Sequence, residues 1–281
     1  MSFDTALKHT IQLALQEDRA LEDWTSHSCF PSSCMGRGEV RLKERAVVAG
    51  LPFVKAVFEQ LDPRVTVTLH VEEGKQCDAK TPLATLEGPV RSLLAGERCA
   101  LNLLQHASGI ASITAAFVQE VAGLPCDILD TRKTLPSLRF LQKYAVRIGG
   151  GKNHRISLAD RILIKNNHLA VLKKECAYPI REAVKRIRAL RKEMPIEIEV
   201  EDLPSLKEAL DAKVELILLD NMEVSTVEKA VALAHGQAYL EASGNISLAT
   251  VKQYAKTGIN GISIGALTHS VRAVDMHMKV F

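Results

Sequence analysis

A surplus of charge is what this chain most lacks: 36 Lys and Arg face 33 Asp and Glu, a formal net charge of +3 over 281 residues. Such a balance excludes a whole-molecule electrostatic footprint for nucleic acid or lipid, so any basic function has to be local. CxxC pairs are missing as well, although there are six cysteines. The one tempting cluster, "HSCFPSSC" with His27, Cys29 and Cys34, offers three soft ligands at an unusual spacing with no partner pair elsewhere, and is expected to be a turn around Pro31. No long apolar run opens the chain. "MSFDTALKHTIQLALQED" is polar and amphipathic, unlike a signal peptide or a membrane span, which points to a soluble, reduced, cytoplasmic protein without membrane or nucleic-acid partners. A Walker A sequence is absent too.

Up to about residue 110 the pattern is mixed. "DTALKHTIQLAL" puts Leu7, Ile11, Ala14 and Leu15 on one helical face behind a capping Asp, and "LPFVKAVFEQL" reads as a short helix with Pro in its first turn. "RVTVTLHVEEG" alternates Val65, Val67, Leu69 and Val71 with polar residues, the period of a half-buried strand. The segment "VRSLLAGERCALNLLQHASGIASITAAFVQEVAG" is expected to form two helices that meet near Ser108 and Gly109, with a domain junction inside it.

Beyond that junction the strands become short and wholly apolar: "CDILD", "RILIK", "IEIEV", "ELILLD", "AYLEAS" and "GISIGA", separated by helical stretches. Continuous apolar runs alternating with helices predict a parallel sheet buried on both faces. The last four strand ends recur at about 22-residue intervals, which favours a β/α barrel over an open doubly wound sheet. In a barrel the C-terminal rim carries the chemistry. That rim would collect Asp130 with Arg132 and Lys133, then Lys165, Glu199, Asp220, Ser243 with Gly244, and Gly265.

A further contribution comes from "RIGGGKNHR", whose glycines let backbone N–H groups approach an anion, beside His154 and Arg155. Converging Arg132, Lys133, Arg155 and Lys165 calls for a ligand with several carboxylates or phosphates. In such a mouth, Glu199 and Asp220 make sense as partners of ribose hydroxyls or of a hydrated divalent cation. "ASGN" and "IGALTHS" offer hydroxyls and backbone N–H groups for a terminal phosphate. Each residue also has a plain structural alternative: charged strand ends are ordinary, Arg132 can pair with Asp130, and Arg98 can pack its stem between Leu94 and Leu101.

These motifs closely resemble one family, quinolinate phosphoribosyltransferase, also called nicotinate-nucleotide pyrophosphorylase (carboxylating). The likeness runs from "EDWTS" through "AVVAGLP", "ERCALNLLQHASGIAS", "DTRKTLPSLRFLQKYAVRIGGGKNHRISLADRILIKNNH", "IEIEVEDL", "LLDNM" and "LEASGNI" to "ISIGALTHS". It implies an N-terminal α/β sandwich of residues 1–109, joined by the C-terminal segment 270–281, and an incomplete, roughly seven-stranded β/α barrel over 110–269. It also implies a homodimer or an assembly of dimers. The implied reaction joins quinolinate to 5-phosphoribosyl 1-diphosphate with Mg2+, giving nicotinate mononucleotide, pyrophosphate and carbon dioxide on the route to NAD.

Carried over by motif, Arg132, His154, Arg155 and Lys165 hold the quinolinate carboxylates, with Arg98 reaching in from the neighbouring subunit. Lys133 meets the phosphoribosyl diphosphate. Glu199 and Asp220 are the acidic pair near ribose and Mg2+, in contact with the metal directly or through water. Ser243, Gly244, Gly265 and His269 form the 5'-phosphate cup. Two departures stand out: "LPS" follows DTRKT where the family has "TPG", and "KNNH" replaces "KDNH", so Asn166 removes a charge beside Lys165 and bears on any metal role there. A Schiff-base aldolase built on Lys165, a paralogue using another carboxylated heteroaromatic base and a non-catalytic phosphoribosyl sensor share parts of this pattern.

Overall fold

The computed structural model describes residues 3–281. The chain forms two compact units. One contains the chain up to Ala115 together with Lys133–Gly150 and Ala266–Phe281, and the other contains Ala116–Arg132 and Gly151–Gly265.

In chain order the first unit opens with α1 (Phe3–Glu17), α2 (Trp24–Cys29), β1 (Met35–Leu42), β2 (Ala46–Val47), α3 (Leu51–Leu61), β3 (Thr66–Leu69), β4 (Gln76–Cys77) and β5 (Pro82–Pro89), and α4 (Val90–Glu120) leads out of it. Four strands form an antiparallel sheet in the order β12-β1-β5-β3, where β12 (Met276–Val280) is the last strand of the chain; β2 and β4 make a separate ribbon. Helix α1 buries Ala6, Thr10 and Ile11, so the inward stripe is centred a little to one side of the one expected. Strand β3 keeps the alternation only in part. Val65 just before it is buried, but Leu69 stays 38% exposed because β3 is the sheet's edge strand. Residues 29–34 do turn around Pro31, whose carbonyl accepts the Cys34 N–H at 3.0 Å.

The expected break at Ser108 and Gly109 does not occur: α4 is one continuous helix of 31 residues. Packing within the first unit explains both residues. Ser108 Oγ bridges the Ala49 N–H and carbonyl at 3.1 Å each, and a Cβ on Gly109 would meet the Arg272 carbonyl oxygen at 2.3 Å. The glycine is there for a close backbone approach, which outweighs its helix-weakening cost of about 1 kcal/mol. Among the described residues α4 is the one helix long and apolar enough to cross a membrane, yet Leu93, Leu104, Ala107, Ile110 and Ala111 are fully buried within the protein.

The second unit is a six-stranded sheet. Its strands are β6 (Asp127–Leu129), β7 (Ile162–Ile164), β8 (Ile196–Val200), β9 (Leu216–Asp220), β10 (Tyr239–Ser243) and β11 (Gly261–Ser263). They lie in the order β6-β11-β10-β9-β8-β7, every pair parallel. A single parallel bridge from Lys152 to Leu129 adds a seventh, one-residue contribution beside β6. This is the parallel sheet that the apolar runs predict, and it fits the incomplete barrel that the resemblance implies. Ile196, Ile198, Ile217, Leu219 and Ile262 are fully buried, each worth about 1.5–3 kcal/mol of transfer free energy.

Helices α6 (Asn166–Leu172), α7 (Pro179–Leu190), α8 (Leu203–Asp211), α9 (Val224–Ala234) and α10 (Val251–Lys256) alternate with these strands. Helices α5 (Arg139–Ile148) and α11 (Ala266–His269) belong instead to the first unit. There α5 packs Tyr144 against Phe53, with ring centroids 5.4 Å apart. The Tyr144 hydroxyl donates to Glu73 at 2.7 Å, and the same carboxylate accepts the Gly50 and Leu51 N–H groups at the start of α3.

Candidate active site

In the second unit the C-terminal ends of the parallel strands bring together Asp130, Arg132, Lys165, Glu199, Asp220, Ser243, Gly244 and Gly265. Asp130, fully buried after β6, is the anchor of this edge. Its carboxylate accepts the His154 N–H at 2.9 Å and the Asn153 amide at 2.6 Å, while its own N–H donates to the Lys152 carbonyl at 3.1 Å. The segment carrying His154 and Arg155 is thereby fastened to the strand that leads into Arg132.

The glycine triplet has a structural explanation. Gly149 and Gly150 N–H groups close the end of α5 by donating to Ala145 and Arg147 carbonyls at 3.0 Å, and Gly150 takes φ 88°. A Cβ on Gly149 would lie 2.5 Å from the Ala111 carbonyl oxygen. These two N–H groups are therefore committed to the helix end and are not available to cradle an anion.

Arg155 is buried and donates to the Arg161 carbonyl at 3.2 Å. Burial, and after it the Arg132 guanidinium, push its pKa below the usual arginine value. The Glu197 and Asp160 carboxylates act on it in the opposite sense. Lys165 is half exposed, its Nζ 3.8 Å from Glu199 Oε2. The next residue, Asn166, donates its backbone N–H to Glu199 at 3.3 Å and its side-chain amide to Glu201 at 2.6 Å. An aspartate here would set two carboxylates against each other. Asparagine fits because Glu201 stands opposite.

Glu199 and Asp220 end neighbouring strands β8 and β9. Beside them, Asp220 accepts from the Asn221 amide at 3.0 Å, and the Asn221 N–H donates to the Ser243 carbonyl at 2.8 Å. Gly244 takes φ 102°, and a Cβ there would fall 2.1 Å from Asn221 Oδ1. Only glycine permits this turn after β10.

His154 is the expected carboxylate donor that the structure turns inward. Its Nδ1 accepts the Arg155 N–H at 2.8 Å and its Nε2 lies 3.0 Å from Glu197 Oε2 and 3.6 Å from Glu241 Oε1. Arg161 Nη2 reaches the same Glu197 oxygen at 3.1 Å. Glu197 and Glu241, mid-strand in β8 and β10, are fully buried. Burial raises the Glu241 carboxyl to about 7, and the Glu197 carboxylate pushes it the same way. Among the described residues His154, Glu197 and Glu241 are the group with metal-ligand spacing, their donor atoms within 4.8 Å of one another. The Arg161 guanidinium already supplies the cation that such a nest needs. Sequence reasoning passed over this network, although an acid inside each of the apolar strands "IEIEV" and "YLEAS" was its signal.

The first unit holds the other expected site residues. Lys133 begins its second segment, and its carbonyl accepts the Thr268 hydroxyl at 2.8 Å. His269 follows, with Nδ1 2.7 Å from Ser270 Oγ. Arg98 lies on α4 with its side chain 59% exposed, beside a cavity of about 400 Å3 that Asn102, His106, Pro136 and Leu138 also line. It is not a packed stem.

Residues 23–108 match the N-terminal domain of quinolinate phosphoribosyl transferase and residues 110–279 its C-terminal domain. The chain is 41% identical over 284 residues to the nicotinate-nucleotide pyrophosphorylase [carboxylating] of Mycobacterium leprae, covering 99% of this chain and 98% of that one. A quinolinate phosphoribosyltransferase [decarboxylating] of Nicotiana tabacum is 36% identical over 290 residues, covering 98% and 82%. Among solved structures, the nicotinate-nucleotide pyrophosphorylase of Francisella tularensis superimposes with TM-score 0.91 at 34% identity, covering 100% of this chain and 98% of that one. The Ehrlichia chaffeensis enzyme gives 0.91 at 38% identity, covering 100% and 99%.

Proposed function

The chain belongs to the quinolinate phosphoribosyltransferase family, and on that premise we propose how its residues divide the two substrates of the family's reaction. The reaction transfers the phosphoribosyl group of 5-phosphoribosyl 1-diphosphate to quinolinate with loss of carbon dioxide, giving nicotinate mononucleotide and pyrophosphate for NAD biosynthesis. Arg132, Arg155 and Lys165 take the pyridine dicarboxylate. His154, held from below by Glu197, keeps the Arg155 backbone in place by accepting its N–H through Nδ1. Lys133 takes the diphosphate. Ser243, Gly244, Gly265 and His269 receive the 5'-phosphate, and Glu199 and Asp220 the ribose. The observation that carries this division is the placement of Arg132, Arg155 and Lys165 in the second unit, with Arg132 and Lys165 just past the C-terminal ends of its parallel strands β6 and β7, an arrangement that suits a small polyanion.

Departure of pyrophosphate builds positive charge at the ribose C1 and negative charge on the leaving group. A fixed cation at Lys133 favours the latter, and electrostatics aimed at developing charge is usually the largest catalytic contribution. The pyridine nitrogen attacks C1. When the adjacent carboxylate then departs as carbon dioxide, its bonding pair stays on the ring carbon as a carbanion that the neighbouring quaternary nitrogen stabilises, and a proton completes that carbon. No nucleophilic side chain is needed; the protein holds the reacting atoms in line.

Glu199 and Asp220 suit Mg2+ by chemistry, since both offer hard carboxylate oxygens near the ends of adjacent strands, Glu199 meeting Lys165 at 3.8 Å and the Asn166 N–H at 3.3 Å. When bound there, directly or through water, the ion neutralises diphosphate charge. Arg98, exposed on α4, completes the carboxylate pocket of a second copy in a homodimer or an assembly of dimers. A cytoplasmic location suits six free cysteines, two of which, Cys99 and Cys126, are raised by burial to about 11 and about 12 and so kept as thiols. One incubation with quinolinate, 5-phosphoribosyl 1-diphosphate and Mg2+ tests the reading. Nicotinate mononucleotide should form with one carbon dioxide per turnover; folded protein that binds both compounds and makes no product would leave a sensor.

A further inference from the structure

The first unit contains a buried hydrogen-bond network with no substrate contact assigned to it. Its centre is Gln142 on α5, which is fully buried. The Leu135 N–H can only donate, so the Gln142 oxygen faces it, at 2.9 Å. The Thr268 carbonyl can only accept, so the Gln142 nitrogen faces that group, at 3.0 Å. These two partners fix the amide orientation, and the second amide hydrogen goes to His106 Nε2 at 2.9 Å. His106 must therefore accept through Nε2 and be the neutral tautomer, consistent with the burial that lowers its pKa. Thr268, 1% exposed, closes the circuit by donating its hydroxyl to the Lys133 carbonyl at 2.8 Å. Arg139 Nε adds a bond to Thr134 Oγ1 at 2.9 Å.

The backbone from Lys133 onward is thus pinned, at the carbonyl of residue 133 and at the N–H of residue 135, to two buried polar side chains. We infer that Thr268 and Gln142 are positioning residues for the diphosphate subsite: they lock the Lys133 loop and the turn that carries His269 into one rigid piece. This rests on the proposed role of Lys133. A misplacement of about 1 Å at a reacting group can cost about a hundredfold in rate, so a brace of this kind has a catalytic consequence without touching substrate. By contrast, Arg132 belongs to the second unit, where Asp130 does the fastening. Loss of the Thr268 bond should therefore be felt by one substrate and spared by the other.

The test is a steady-state comparison of Thr268→Val, Thr268→Ser, Gln142→Glu and Lys133→Ala, with KM taken separately for quinolinate and for 5-phosphoribosyl 1-diphosphate. Thr268→Val keeps the shape and removes the donor; it should raise KM for the phosphoribosyl substrate at least about fivefold and leave KM for quinolinate within about twofold. Thr268→Ser restores the hydroxyl and should return both constants to within about twofold of the wild type. If the valine variant does not fold, Gln142→Glu assayed at a pH where the new carboxylate is ionised must give the same selective rise, because it keeps an acceptor for Leu135 and, ionised, has no hydrogen to donate to the Thr268 carbonyl. An effect in Lys133→Ala with none in the folded brace variants, or equal rises for both substrates, overturns the inference. No effect in Lys133→Ala overturns the reading of Lys133 and the inference with it.

Discussion

His154 Nε2 lies 3.0 Å from the carboxylate of Glu197, and both side chains are buried beneath the rim of the parallel sheet. With Glu241 beside them and Arg161 on the far side, the group holds more acid than a dry interior tolerates unless a proton is shared. Glu241 is held above its unfolded value of 4.5, near 7, so its bound proton favours the folded state. The contribution is complete below pH 4.5 and is lost as pH rises through 7. Glu241→Gln stays neutral throughout. Urea unfolding at pH 5 and pH 8 should show the variant gaining about 1–3 kcal/mol on the wild type across that range. Parallel stability profiles for the two proteins would contradict the shared proton.

Truncating the cationic pocket should cost affinity for the dicarboxylate. Arg132→Ala and Lys165→Ala are each expected to lower turnover and quinolinate binding at least tenfold, about 1.4 kcal/mol. Circular dichroism should remain native, since Lys165 is half exposed and its ion pair with Glu199 is long. Wild-type kinetics in either variant would remove the carboxylate pocket from the account.

Complementation addresses Arg98. Neither Arg98→Ala nor Lys165→Ala should turn over well alone. Mixed and reassociated, they should recover about a quarter of wild-type activity, because half of the random dimers are hybrid and each hybrid has one intact site. No recovery after verified subunit exchange would place Arg98 in its own subunit's chemistry or in none.

The acidic pair gives a metal prediction. Chelation should stop turnover and added Mg2+ restore it, while Asp220→Asn should raise the Mg2+ concentration needed for half-maximal rate about tenfold without changing the thermal midpoint. An unchanged Mg2+ requirement in that variant would move the site elsewhere on the rim.

Gly109 offers a stability test of the continuous α4. Gly109→Ala improves helix propensity but drives a methyl into the Arg272 carbonyl, so it should destabilise by about 1–3 kcal/mol. A stabilised variant would mean that the helix has room there.

The parallel sheet was legible because strands buried on both faces are mostly apolar, and the rim because polar residues gather at or near each strand's C-terminal end. What escaped was set by tertiary contact. Ser108 and Gly109 look like a helix break until Ala49 and Arg272 are seen against them. Gly149 and Gly150 look like an anion cradle, but their N–H groups finish a helix. Glu197 and Glu241 occupy strand-interior positions where local pattern expects carbon, and their partner Arg161 lies 36 and 80 residues away in sequence. Thr268 and Gln142 are unremarkable in sequence because only folding sets them beside Lys133.

Adjacent residues Arg132 and Lys133 are proposed to serve different substrates. The direct measurement is KM for each substrate in Arg132→Ala and Lys133→Ala side by side. Arg132→Ala should raise KM for quinolinate at least tenfold and Lys133→Ala should raise it chiefly for 5-phosphoribosyl 1-diphosphate, a crossed pattern. If both variants raise both constants equally, the two neighbours do not divide the substrates and the assignment of this rim is wrong.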